Sequence, residues 1–236
     1  MTFSVLTEIQ NRKSNAGLWE LVLDYFHANG IEKVSYHHLS TDAQSSTPVT
    51  VNADGFSPDW VCHYIDRKLY LVDPITELAQ SRTQPFRWSQ IENLMQLSVE
   101  QKAYLRQMRA ADIHEGLAFQ VFGPGLRNAY VGLGLPPGQD IHAPEKVLDF
   151  QLLAQASHLK FCEMNPVGGA AVALSPRERE VLHWIARGKS NSSIAEILAL
   201  SPHTVDTLLR RIFDKLGVAD RTTAAIRGVG SGLILP

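Results

Sequence analysis

The last sixty residues predict four short helices, three of them with marked starts, and that density leaves few folds open. Ser175 stands as an N-cap before Pro176, and Glu178 follows three residues on to complete a capping box. Val181, Leu182, Ile185 and Ala186 then share one helical face, and Gly188 ends the run. SNSSIAEILAL (190–200) predicts a second, short helix with Ile194, Ala195, Ile197 and Leu198 turned inward. Leu200 and Ser201 form a tight break, Ser201 caps again, Pro202 opens a third helix and Gly217 closes it. Asp220 caps a fourth over DRTTAAIRG. Helices joined by so tight a break, in a four-helix bundle of this size, make a helix-turn-helix arrangement.

On a helical wheel the third helix places Val205, Leu209, Ile212 and Leu216 on one side, with Leu208 and Phe213 at the edges. His203, Asp206, Thr207, Arg210 and Asp214 lie opposite, with Arg211 beside them. A mixed-charge stripe is ordinarily just a solvated face. Here it belongs to the helix after the turn, the one that enters the major groove in such motifs. Thr207 and Arg210 are placed to meet base edges, Arg210 most naturally a guanine. Lys189, Ser190, Asn191 and Ser192 precede the second helix, where short hydroxyls and backbone amides hold phosphates. His203, Thr204, Asp206 and Arg211 complete the expected double-stranded DNA face.

Charge supports the division. Residues 1–166 carry 13 Lys and Arg against 18 Asp and Glu, whereas residues 167–236 carry 9 against 6. A basic tail piece on an acidic body fits an anionic partner. NPVGGAAVA (165–173) has no charge and a Gly pair, so it reads as a linker between domains 1–164 and 174–236. No apolar run is long enough to span a membrane, and MTFSVLTEIQNRK lacks a secretion leader. A cytoplasmic protein with no membrane partner is expected. Cys62 and Cys162 have no CxxC partner and read as buried, reduced thiols.

The front half mixes helix and strand. GLWELVLDYFHANG (17–30) predicts a helix stopped at Asn29-Gly30, and IEKVSYHHL (31–39) a strand. PDWVCHYIDRKLYL (58–71), DPITELAQS (73–81) and VEQKAYLRQMRAADI (99–113) read as helices, the second capped by Asp73 before Pro74. AFQVFG and AYVGLGL flank PGLRN (124–128) as a hairpin, and 143–164 is a long helix. His37 and His38 face opposite sides of their strand, a poor arrangement for one metal, so no metal or cofactor is expected. No nucleophile–base pair is apparent, and no catalytic residue is assigned.

The segment LSPREREVLHWIARGKSNSSIAEILALSPHTVDTLLRRIFDKLGVADRTTAA resembles the helix-turn-helix of the LuxR family along its full length. Glu178, Leu182, Gly188, Ile194, Ala195, Leu198, Ser201, Thr204, Val205, Lys215, Leu216, Gly217, Val218 and Arg221 carry the match. Asp206 and Leu208 depart from it, and Asp206 in a groove would accept from a cytosine amine or hold Arg210. In the front half, Trp60, Tyr64, Asp73, Pro74 and Trp88 repeat the spacing W-x3-Y-x8-D-P-x13-W, with Gly116 beyond. This is similar to the acyl-homoserine-lactone-binding domain of the quorum-sensing branch.

The resemblance implies an α+β protein: an α/β/α sandwich with an antiparallel sheet, followed by the four-helix DNA reader. It implies a regulator that binds an N-acyl-homoserine lactone in front and palindromic DNA behind, as a homodimer, rather than an enzyme. Trp60 offers an N–H to the lactone carbonyl, Asp73 accepts from the amide, Tyr64 and Trp88 form walls, and Gly116 permits close approach. Phe56 and Gly132 stand where relatives carry hydroxyls for the acyl carbonyl. Their absence, and the room left at Gly132, point to a branched, bulky or aromatic acyl group. An orphan regulator without a lactone is the alternative, and a lactone hydrolase the distant one.

Overall fold

Strand alternation in the front half builds a single sheet with two apolar faces. The computed structural model describes residues 2–39, 49–124, 127–136, 138, 143–166 and 173–235. Helices α1 (Thr2–Asn11) and α2 (Asn15–Ala28) precede strands β1 (Lys33–Leu39) and β2 (Val49–Asp54). Helices α3 (Pro58–Asp66) and α4 (Pro74–Ser81), short strand β3 (Phe86–Arg87), the single turn α5 (Ile91–Leu94) and α6 (Val99–Ala110) follow. Then come β4 (Glu115–Val121), β5 (Ala129–Leu135) and the long α7 (Pro144–Met164). The sheet order is β2-β1-β5-β4-β3, antiparallel at every pairing.

Along β5, Ala129, Val131, Leu133 and Leu135 point to one face, where they pack with Phe26 of α2 and Phe150 of α7. Tyr130 points to the other, among Tyr64, Trp88 and Tyr104 from the α3–α6 layer. This period-2 division makes the α/β/α sandwich. His37 and His38 do face opposite ways: His37 contacts Tyr64 and Tyr130, while His38 packs on Phe161 of α7.

Several boundaries differ from the sequence reading, each for a local reason. The helix expected over 58–71 stops at Asp66, because Lys68 takes a left-handed φ of 52° before a 3₁₀ turn at Leu69–Leu71. That expected over 99–113 stops at Ala110, and Asp112 turns the chain at φ 58°. Ser14 caps α2 through Gly17 N–H, so it starts before Gly17. Helix α1 and strands β2 and β3 are additional to the elements expected from sequence. Cys62 is exposed, not buried, whereas Cys162 is buried near His158. The turn residues 125–126 and linker residues 167–172 lie outside the described residues.

The second compact unit carries α8 (Pro176–Ala186), α9 (Asn191–Leu198), α10 (Pro202–Leu216) and α11 (Arg221–Gly230). Leu182, Ile194, Val205, Ile212 and Ala224 form its core. Helix α9 ends on Ala199, at a left-handed φ of 53°, and Leu200 N–H returns to Ala195 C=O at 2.8 Å. That pattern closes a helix C-terminus and compresses the break. Ile197, expected inside, is 45% exposed.

Candidate functional site

Two sites follow from these folds, one in each unit. In the front unit a cavity of about 50 Å³ lies between the sheet and the α3–α6 layer. Sheet residues Ser35, His37, Val51, Ala53 and Tyr130 line it on one side. Phe56, Trp60, Tyr64, Asp73, Trp88 and Tyr104 close it on the other. Five of the seven sequence-derived ligand residues therefore border one space, and Gly116 and Gly132 lie in the sheet beside it.

Asp73 organises this cavity. It is 4% exposed and caps α4, Oδ1 accepting from Ile75 N–H at 2.9 Å, while Oδ2 accepts from Tyr64 Oη–H at 2.9 Å. Tyr64 can meet it because Trp60 and Tyr64 lie one turn apart on α3, whose start Ser57 caps. Burial pushes the Asp73 carboxyl up to about 6, even though the Ile75 amide and the Tyr64 and Tyr104 hydroxyls pull it down. Burial also raises the Tyr64, Tyr104 and Tyr130 phenols, with the Asp73 charge next. All three therefore stay protonated donors near neutral pH.

The two glycines are each closely packed by neighbouring groups. A Cβ on Gly116 would lie 2.8 Å from the Trp88 ring, and one on Gly134 3.4 Å from it. Trp88 lies against β4 because Gly116 is bare, whereas at Gly134 the tight contact is Lys33 at 2.8 Å. A Cβ on Gly132 would lie 2.5 Å from Tyr130 Oη and 2.7 Å from Ser35 Oγ. The bare position is thus not spare room: two hydroxyls from neighbouring residues fill it. Sequence spacing did not single out Tyr130 or Ser35, whose hydroxyls lie at this position.

A larger cavity, about 350 Å³, opens on the opposite face of the sheet between α2, α7, β1 and β2. Among the described residues its lining is mainly apolar and holds no carboxylate, Lys or Arg. Its buried His158 bonds Tyr36 Oη at 2.7 Å. The carboxylate and both tryptophans read as ligand groups are on the smaller side. Among the described residues no group of His, Cys, Asp and Glu is placed to hold a metal.

In the second unit, His203, Thr204, Arg210 and Arg211 are exposed on α10. Asp206 does not hold Arg210. Its Oδ1 accepts from Asn191 Nδ2–H at 2.6 Å, linking the start of α9 to α10. Thr207, half-buried, donates its hydroxyl to His203 C=O at 3.0 Å. Ser190 caps α9, accepting from Ser193 N–H, and Lys189 is exposed just before it. The Arg221 guanidinium donates to Lys189 C=O and fixes that loop. Beneath the helices, Lys215 Nζ lies 2.6 Å from Glu178, which is 3% exposed. Burial pushes the Glu178 carboxyl up, but Lys215 and the Ser175 backbone N–H outweigh it and hold it low.

Comparison with known proteins covers both units. Residues 14–161 match the autoinducer binding domain, and residues 172–227 match the bacterial regulatory proteins of the luxR family. The putative HTH-type transcriptional regulator y4qH of Sinorhizobium fredii is 24% identical, over 92% of this chain and 68% of its own length. The transcriptional activator AhyR of Aeromonas hydrophila is 28% identical over 76% of this chain and 72% of its own. The crystal structure of Escherichia coli SdiA superposes with a TM-score of 0.78 at 20% identity, covering 100% of this chain and 98% of that one. No helix among the described residues is long and apolar enough to cross a membrane. With both of its halves matched, the chain belongs to the LuxR family of autoinducer-binding transcriptional regulators.

Proposed function

We propose that this regulator binds an N-acyl-homoserine lactone in the smaller cavity and palindromic DNA as a cytoplasmic homodimer. The observation that carries the ligand half is the convergence of Trp60, Tyr64, Asp73 and Trp88 on one space in the autoinducer-binding unit. Trp60 N–H serves the lactone carbonyl, Asp73 the amide N–H, and Trp88 walls the ring. Drug-sized ligands occupy pockets of roughly 300–1,000 Å³, so a cavity of about 50 Å³ admits a lactone only as its aromatic lining repacks. Binding then stabilises the occupied arrangement of the front unit.

On the DNA side, Arg210 reads a base, and Lys189, Ser190 and the α9 N-terminus hold phosphates. One short helix reads few base pairs, whereas a dimer places two helices roughly 34 Å apart on a palindrome. Leu148, Leu152 and Leu159 are about half-exposed on α7 and offer part of the dimer contact.

Thermal melts with a panel of straight-chain, branched and aromatic homoserine lactones test the ligand half. At 100 times its dissociation constant a ligand stabilises the native state by about 2.7 kcal/mol. Trp60→Phe and Asp73→Asn are expected to reduce that response at equal ligand. The narrow cavity also favours a second reading, an orphan regulator whose aromatic cluster is simply core. A panel with no shift in the wild-type melt selects it, and loss of intact lactone during incubation would select a hydrolase instead.

A further inference from the structure

The cavity contains a polar atom that the lactone contacts just described leave unused. His37 Nδ1 is shut off from solvent and has no hydrogen-bond partner among the described residues. Its ring borders the cavity, edge-on to Tyr130 with centroids 4.9 Å apart and to Tyr64 at 5.4 Å. A buried polar atom without a partner is costly, and proteins seldom leave one unsatisfied unless something else meets it.

The register of the sheet fixes where that atom lies along the ligand. Gly116 pairs with Gly134, the row on which Trp88 packs. The next row on this face joins Ala53, Ser35, Gly132 and Ala118, where the Ser35 and Tyr130 hydroxyls gather. The row after that joins Val51, His37 and Tyr130. Successive same-face rows are two residues, or about 7 Å, apart. With the lactone ring at Trp88 and the acyl carbonyl at the Ser35 row, His37 meets the far half of the acyl group.

We infer that His37 is a specificity residue, selecting acyl groups that carry an oxygen about 7 Å beyond the amide carbonyl over plain hydrocarbon. This rests on the lactone reading above. A hydroxyl is the best match, because it can donate to or accept from Nδ1, whichever tautomer is present. Burial, and then neighbouring His38, push His37 down to about 3, so the imidazole is neutral and does not demand an anionic ligand. The surrounding Tyr64 and Tyr130 rings suit a ring-bearing acyl group, although the oxygen and not the ring is what His37 reads.

Two matched pairs test this on the full-length protein: 4-hydroxybenzoyl- against benzoyl-homoserine lactone, and 6-hydroxyhexanoyl- against hexanoyl-homoserine lactone. Wild type is expected to bind the better hydroxylated member at least about tenfold more tightly than its partner. In His37→Phe that ratio is expected to fall to within about twofold. A wild-type ratio near one in both pairs, or a ratio that survives in His37→Phe, overturns the inference while leaving the lactone reading intact. Should His37→Phe fail to fold, the wild-type ratios decide alone. No binding by any of the four lactones overturns the inference, and the wider panel of melts, branched acyl groups included, decides the lactone reading separately.

Discussion

Asn191 donates to Asp206 across 2.6 Å, from the first residue of α9 to the first turn and a half of α10. An acid on the helix proposed to meet DNA looks misplaced, and this bond gives it a structural duty: it ties α9 to α10. Asp206→Ala is expected to cost about 1 kcal/mol of stability. Its affinity for random DNA should nevertheless rise, because a negative charge leaves the face. A gel-shift titration showing weaker random-sequence binding would remove this account of Asp206.

Arg210 and Lys189 separate reading from positioning. Arg210→Ala should weaken binding to the preferred site by about 1–3 kcal/mol and relax preference at one base pair, with the fold intact since the side chain is exposed. Lys189→Ala should weaken specific and random DNA alike and make the salt slope shallower by about one. Identical salt slopes for wild type and Lys189→Ala would exclude a phosphate contact there.

Asp73 sets a pH dependence. Its value of about 6 in the fold exceeds its ordinary 3.8, so the folded protein holds that proton more tightly than the unfolded chain. The associated stability is complete below about pH 4 and is lost as pH rises through 6. Linkage puts its size at about 3 kcal/mol. Asp73→Asn should flatten stability over this window, measured by urea unfolding at stepped pH. Lactone affinity should run the opposite way if the proposed amide contact uses the carboxylate: it should fall as pH drops below about 6. An equal slope in wild type and Asp73→Asn would place the titrating group elsewhere.

Gly132 and Tyr130 are sterically coupled. Gly132→Ser should destabilise the protein by about 1–3 kcal/mol, because its Cβ would meet Tyr130 Oη and Ser35 Oγ. Removing that hydroxyl with Tyr130→Phe should recover part of the loss, giving a coupling of at least about 0.5 kcal/mol in a double-mutant cycle. Strict additivity would mean that the strand shifts instead.

The helical unit was legible because its signals are local. Ser175, Ser190, Ser201 and Asp220 each accept from a backbone amide three residues on, and every cap lies beside the helix it starts. Trp60, Tyr64 and Asp73 were legible through spacing on one short stretch. His37, Ser35 and Tyr130 were not, since their relation depends on the pairing of β1 with β5, distant in sequence. Strand β2 carries the alternation VTVNAD and is legible on the same period-2 grounds. Of the two partners expected for Asp206, Arg210 is not the one it meets, and Asn191 was out of view because a helical wheel displays one helix and not its neighbour.

The central pairing of β1 with β5, Lys33 opposite Gly134, closes a loop of about a hundred residues. Such a seam is slow to form, because the entropy of closing the loop is lost before the contacts compensate. At about 5–20 residues synthesised per second, the nascent β1 waits roughly 5–20 s for its partner strand. During that interval the apolar faces of β1 and α2 have no β5 or α7 to cover them. The front unit is therefore kinetically exposed to misassembly while it is being made, and the order of its strands in the chain sets the length of that exposure.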